Sequence, residues 1–406
     1  ERAAEAPVSL TVRAVIDGEP VLAESAFTAA PDPFDAQVMV QQIPLPFLYA
    51  QHNPGRSRWA ILDPATAEGP RVLLEDMPHC GNCHTFSRDG STFGMDIDLY
   101  GDKGGYVFTD VRQDMTVTPE DMISWNADVP DKTASMGLFT KLSADGRFAV
   151  TTVREKSFFY AIDDPWFSQL FFPIRGHLAV CDREAGTIRP LPGADDPAFV
   201  QTSPAISPDG RIVAFARAPL SERLLEYIGD RKFLLPGDDL IEDLNAKHPY
   251  RFDLWTMDFN AGAGGVPRPL AGASGNGMSN YFPRFSPDGA WIVFCKSPTG
   301  LVLQPDSELW AVPAAGGEAR RLECNTEPFN SWHSFTPNGR WLVFSAKTLS
   351  PYTQVYAAHF DAQGRASPPV LLDALFEAGR ASIIPEAVPR SVDIRRITLD
   401  VPKPAQ

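Results

Sequence analysis

Phe285-Ser286-Pro287-Asp288-Gly289 runs directly into the apolar stretch Trp291-Ile292-Val293-Phe294. The phrase is an apolar residue, Ser or Thr, any residue, Asp or Asn, then Gly. It returns as Phe86-Ser87-Arg88-Asp89-Gly90, Leu142-Ser143-Ala144-Asp145-Gly146, Ile206-Ser207-Pro208-Asp209-Gly210 and Phe335-Thr336-Pro337-Asn338-Gly339. Proline presets its own φ in a turn, and Asp-Gly or Asn-Gly supplies positive φ, so each phrase reads as a hairpin. Strand-like runs follow the turns, as in Arg211-Ile212-Val213-Ala214-Phe215 and Arg340-Trp341-Leu342-Val343-Phe344. A third strand comes next, as in Asp253–Asp258 and Glu308–Val312, and then a short fourth, as in Glu318–Leu322.

Four antiparallel strands repeated around a ring make a β-propeller, an all-β fold. Five units carry the turn phrase. A sixth is implied by Ser57–Leu62 and Pro70–Leu74, which read as third and fourth strands without the phrase. Residues 38–50 or the tail near 382–400 would complete that blade and close the ring. The expectation is six blades over 38–400, with seven as the alternative, preceded by an N-terminal extension, 1–37. Two units carry insertions between their second and third strands. Residues 154–176 are loaded with Phe158, Phe159, Tyr160, Trp166, Phe167, Phe171 and Phe172. In 218–250, Leu220–Ile228 has helical spacing and Leu234–Leu244 is acidic. Long insertions on a rigid ring build a site or an interface, or pack on the rim as a lid.

The net charge of −15 argues against nucleic acid as a partner, because that binding rests on Lys and Arg meeting phosphates. It suits solubility and is compatible with a basic redox partner. No run approaches the ~18–20 apolar residues of a membrane helix, so no membrane span is expected. The chain opens at Glu1 with no apolar signal core, which reads as a mature exported chain in the periplasm or outside the cell.

Of five cysteines, Cys80 and Cys83 sit in Cys80-Gly81-Asn82-Cys83-His84. This spacing fits covalent c-type haem: two thioethers along one porphyrin edge, and the next histidine as axial ligand to the iron. The competing readings are a redox disulfide, half of a zinc site, or coincidence. Zinc wants a second Cys or His pair, and only His79 is near. A thioredoxin-like disulfide wants a strand–helix setting, whereas this motif opens a propeller strand. Cys181, Cys295 and Cys324 read as buried free thiols, with a Cys295–Cys324 bridge compatible with an oxidising compartment. Asp96, Asp98 and Asp102 are a weak calcium candidate. No Gly-x-Ser-x-Gly elbow anchors a hydrolase triad.

With these motifs quoted, the chain resembles the WD-repeat-like propellers of the TolB type. It resembles more closely a branch of exported, uncharacterised propellers classed as cytochromes. That branch joins a Cys-x-x-Cys-His-Ser-Phe-Ser-x-Asp-Gly segment to the repeats, here Cys80–Gly90. Further matches are Gly94–Asp98, Asp102–Gly104, Phe167–Pro173, Leu303–Leu309, Asn330–Phe335 and Ser350–Gln354. The resemblance spans roughly 55–390 and implies the fold and a haem, with no assigned reaction.

The expected function is extracytoplasmic electron transfer by one haem, with a redox partner protein. The alternatives are a non-catalytic binding or sensing propeller with a structural haem, and a small-molecule redox enzyme with an open iron site. For the second axial ligand, alignment of the repeats three residues before the turn Ser or Thr gives His84, Thr140, Pro204, Pro283 and His333. His333 thus occupies the place of His84 in another blade and is the expected distal ligand. Met95, made tempting by the resemblance, is the rival. It falls beside His84 on the next strand, about 4.5–7 Å away between β-carbons, too close for opposite faces of one haem. It also aligns with Phe215, Phe294 and Phe344, a core position.

Overall fold

The computed structural model describes residues 7–99, 101–160, 164–166, 171–231, 233–234 and 241–401. Phe167 to Leu170 of the aromatic insertion, and 235–240 of the acidic stretch, lie outside the described residues.

The turn phrases form the hairpins their chemistry dictates. In the fourth copy, Ser286 Oγ donates to Asp288 Oδ1 at 2.5 Å and accepts from the Trp291 N–H at 3.0 Å. Gly289 adopts φ 73°, the left-handed region that its missing Cβ permits. Ser143 with Asp145, Ser207 with Asp209, and Thr336 with Asn338 repeat the arrangement.

Six sheets of four strands result, one of them extended by a short fifth strand. Blade 1 comprises Gly81–Phe86, Thr92–Leu99, Asp102–Asp110 and Met122–Ser124. Blade 2 is Lys141–Leu142, Phe148–Tyr160, Phe171–Asp182 and Thr187–Pro190, with Phe233–Leu234 added beside its second strand. Blade 3 is Phe199–Ile206, Ile212–Pro219, Asp253–Asp258 and Arg268–Pro269. Blade 4 is Ser279–Phe285, Trp291–Ser297, Glu308–Pro313 and Arg320–Arg321. Blade 5 is Asn330–Phe335, Trp341–Ala346, Gln354–His359 and Val370–Leu371.

The closing blade uses both candidate segments. Arg380–Pro389 is its innermost strand and pairs antiparallel with Ala36–Pro44, which leads to Arg58–Leu62 and Arg71–Leu74. Beyond it, Arg396–Leu399 runs parallel to Asp114–Val117. The column Met95, Phe215, Phe294 and Phe344 is wholly buried between blades, and each phenylalanine there is worth roughly 1.5–3 kcal/mol.

The second insertion contains a helix, Glu222–Ile228, capped by Ser221 Oγ accepting from the Leu224 N–H at 3.2 Å. By compactness the chain divides into Glu1–Phe34 and Asp35–Gln406. The first unit holds a hairpin, Val8–Ile16 with Glu19–Phe27, turning at Asp17-Gly18 with φ 52° and 85°.

Candidate functional site: the central channel

Five of the six innermost strands carry an irregularity at one level, whereas Lys141–Leu142 of blade 2 pairs without a slip. The ladder slips between Gly81 and His84, Thr202 and Ala205, Tyr281 and Arg284, Ser331 and Ser334, and Ile383 and Glu386. At that level Phe139, Ser203, Phe282, Trp332 and Ile384 have φ between 46° and 67°. Left-handed backbone costs a non-glycine residue ~1–2 kcal/mol, and such strain gathers at functional sites. These five stand four residues before the turn Ser or Thr, or at its equivalent in the closing blade. The blade 1 member of the ring is Cys83. There the slip falls one residue earlier, on Asn82-Cys83.

The ring Cys83, Phe139, Ser203, Phe282, Trp332 and Ile384 is the neck of the channel. On one side opens a cavity of about 960 Å³, counted out to its mouth, walled by Cys80, Cys83, Phe47, Phe159, Phe171 and Asp96 among others. Phe139 is its aromatic hub, 5.1 Å from the Phe171 ring and 4.8 Å from Phe282. The insertion therefore helps wall the motif-side mouth through Phe159 and Phe171. Phe172 does not line it, and stacks on Phe158 at 5.0 Å.

Both motif thiols are free and both face this cavity. Burial pushes Cys80 up to about 11, with Asp98 adding to the rise, and Cys83 up to about 12, with Asp96 adding. Neither is the ready thiolate that disulfide exchange uses. Among the described residues no three His, Cys, Asp or Glu side chains gather as a metal site. Asp96, Asp98 and Asp102 go separate ways: Asp96 accepts from Thr140 Oγ1 at 2.8 Å, Asp98 pairs with Lys103, and Asp102 accepts from Asn126 at 2.9 Å. Cys295 and Cys324 are buried free thiols.

His84 follows Cys83 on the strand and so faces the other way, into the seam with the closing blade. Its Nε2 lies 3.3 Å from the Met39 carbonyl. Donation there makes Nδ1 the bare nitrogen, and Nδ1 is buried with no hydrogen-bond partner among the described residues. Burial lowers His84 to about 4, so the ring is neutral. Met95 is the direct cross-strand partner of His84 and lines neither this cavity nor the neck.

His333 sits in the corresponding seam. Its Nε2 lies 3.0 Å from the Val293 carbonyl, and its Nδ1 4.0 Å from Cys295 Sγ. Burial lowers it to about 3. The residue also borders the neck that Cys83 lines, while both of its ring nitrogens point into the seam. The histidine column is therefore a true register, but a register of seams. The column one residue earlier, with Cys83, faces the channel.

The next inward-facing level holds Thr85, Lys141, Ala205, Arg284, Ser334 and Glu386. Lys141 Nζ lies 2.8 Å from Glu386 Oε1, and Arg284 pairs with the same oxygen. Sequence reasoning missed both levels. Their residues stand four and two places before each turn Ser or Thr, but no shared residue type marks either column.

An iron porphyrin, the group the motif implies, fits the residues present in three respects. Two free thiols line one cavity, five aromatic side chains line it with them, and the histidine beside them has a bare, unpartnered ring nitrogen. Ligation inside the cavity would require the His84 ring to leave the Met39 carbonyl.

No family model and no curated protein matches the chain. Among solved structures it is similar to TolB from Acinetobacter baumannii, at 12% identity over 95% of this chain and 83% of that one, with a TM-score of 0.50. It is also similar to a putative TolB from Agrobacterium tumefaciens, at 15% identity over 83% and 88%, with a TM-score of 0.44. At such identities the likeness bears on the fold alone: the chain is built as a TolB-like β-propeller.

Proposed function

We propose that the chain is an extracytoplasmic monohaem c-type cytochrome that passes single electrons to and from a partner protein. The observation that carries the reading is the pairing of Cys80 and Cys83, free and side by side in sequence spacing, on the wall of the aromatic cavity at the channel mouth. The two sulfurs would hold the haem and His84 would supply the axial nitrogen. Bound there, haem would supply a reversible one-electron couple. The residues of the chain do the remainder. Phe139, Phe159, Phe171 and Trp332 exclude water from the cavity, and the strained neck fixes Cys83 relative to the blades. Lys103 and Asp98 stand on the same cavity wall.

For the second axial position His333 is favoured over Met95, because it borders the neck together with Cys83. Ligation would cost His333 its bond to the Val293 carbonyl, about 1 kcal/mol net. The decisive experiment is expression in a host that exports the chain and attaches haem. Denatured protein should keep a haem stain, and Cys80→Ala with Cys83→Ala should abolish it; a stain that survives in the double variant overturns the assignment. A low-spin spectrum that turns high-spin in His333→Ala, and is unchanged in Met95→Ala, would support the distal choice; the reverse pattern gives the position to Met95.

A further inference from the structure

The channel has three levels in series. Along the closing strand, Ile383 and Ile384 line the motif-side cavity, Ile384 to Glu386 line the neck, and Glu386 and Ala387 line a second cavity of about 840 Å³. Blade 5 gives the same order: Trp332, then His333, then Ser334 and Phe335. The second cavity is ringed by the turn residues Arg88, Pro208, Pro287 and Pro337, so it is the opposite mouth. Lys141, Arg284 and Glu386 belong to both the neck and this mouth.

That level carries two cations against one carboxylate. Glu386 is 7% exposed. Burial alone would raise it, but Arg284 and Lys141 outweigh burial and hold it ionised, at about 2. Burial lowers His84 and His333 and holds the Asp96 carboxyl well above the usual carboxylate range, while burial and Arg284 lower Lys141. Both cations lean on one oxygen of Glu386 and are 14% and 21% exposed toward the mouth, so the two share a single carboxylate. An anion entering from the mouth gives the second cation a partner of its own.

We propose that the channel waist is a binding site for one small carboxylate, held between the Lys141 ammonium and the Arg284 guanidinium and reached from the turn-side mouth. The guanidinium fork matches a carboxylate in plane, and the ammonium adds a second, rotatable donor. Ala205 and Ser334 leave the level uncrowded on their sides. Ser334 Oγ accepts from the Ala387 N–H at 2.9 Å, so its own proton remains to donate. The carboxylate comes either from solution or from the acid side chain of a haem attached on the other side of the neck. The site itself does not depend on the haem reading.

The test uses acetate as probe at constant ionic strength, with 13C-acetate NMR and the rise of Tm with acetate as readouts. The Cys80→Ala, Cys83→Ala chain, which carries no attached haem, should bind one acetate saturably. Lys141→Met and Arg284→Met each leave a neutral buried pair, and each should raise the Kd at least tenfold; whichever folds by circular dichroism carries the test. Acetate binding that persists in haem-loaded protein assigns the site to a solution carboxylate. Binding lost there but present in the cysteine-free chain assigns it to the haem's own acid group. No saturable binding to the cysteine-free chain, or binding indifferent to both methionine substitutions, overturns the proposal whatever the haem stain shows.

Discussion

At the scale of the residue, the channel is decided by alternation. Two consecutive positions on one strand, Cys83 and His84, serve opposite purposes: one thiol faces the cavity and one imidazole fills a seam. The motif was legible as a string. The repeat alignment was legible too, since His84 and His333 do occupy equivalent seams. Which column faces inward was not legible, because the left-handed backbone shared by Phe139, Ser203, Phe282, Trp332 and Ile384 goes with no fixed residue type. The charged level stayed hidden because Lys141, Arg284 and Glu386 come from blades far apart in sequence. It has a measurable signature. The folded value of Glu386 lies below its ordinary 4.5. Its contribution is therefore present above pH 4.5 and is lost as pH falls from there toward 2, on the order of 3 kcal/mol in all. Urea unfolding from pH 6 to pH 2.5 should show this acid limb. Glu386→Gln should be less stable at pH 7, since two buried cations lose their partner, and should have a flatter limb. An unchanged slope in the variant would mean that Glu386 is not the group responsible.

At the scale of the element, the hairpins were readable because one Ser–Asp–Gly chemistry builds every turn, down to the side-chain oxygen that caps the returning N–H. The short helix Glu222–Ile228 was readable from its spacing. The parallel pairing of Arg396–Leu399 with Asp114–Val117 was not, since it joins segments far apart in the chain and has no local turn to announce it. Nor was the hairpin at Asp17-Gly18 foreseen, although its Asp-Gly turn was in plain view. The aromatic insertion divides by task. Phe171 lines the cavity, whereas Phe172 is sealed between Phe158 and Tyr250. Both rings are buried, so Phe171→Ser and Phe172→Ser should each cost roughly 3–5 kcal/mol of stability, read by denaturant unfolding. Only Phe171→Ser should also shift the absorption spectrum or midpoint potential of haem-loaded protein; an equal spectral shift in the two variants would contradict this division.

At the scale of the whole molecule, the ring is shut by strands from distant parts of the chain, Arg380–Pro389 beside Ala36–Pro44. A chain stopped at residue 379 lacks the innermost strand of the closing blade, with Glu386 and one wall of the cavity. It should lose the cooperative unfolding transition and become rapidly sensitive to protease, whereas a chain stopped at residue 401 should keep both. Retention of a sharp transition by the shorter chain would show that five blades suffice. The closure also orders events as the chain emerges N-terminus first. Cys80, Cys83 and the aromatic hub precede Ile383 and Ile384, which complete the cavity wall. Without those residues the cavity lacks one wall, and the thiols would be approachable from that side. On the proposed reading, a large rigid group would be fastened to them after export and before the final strand closes, so the finished mouth need never be wide enough to admit it.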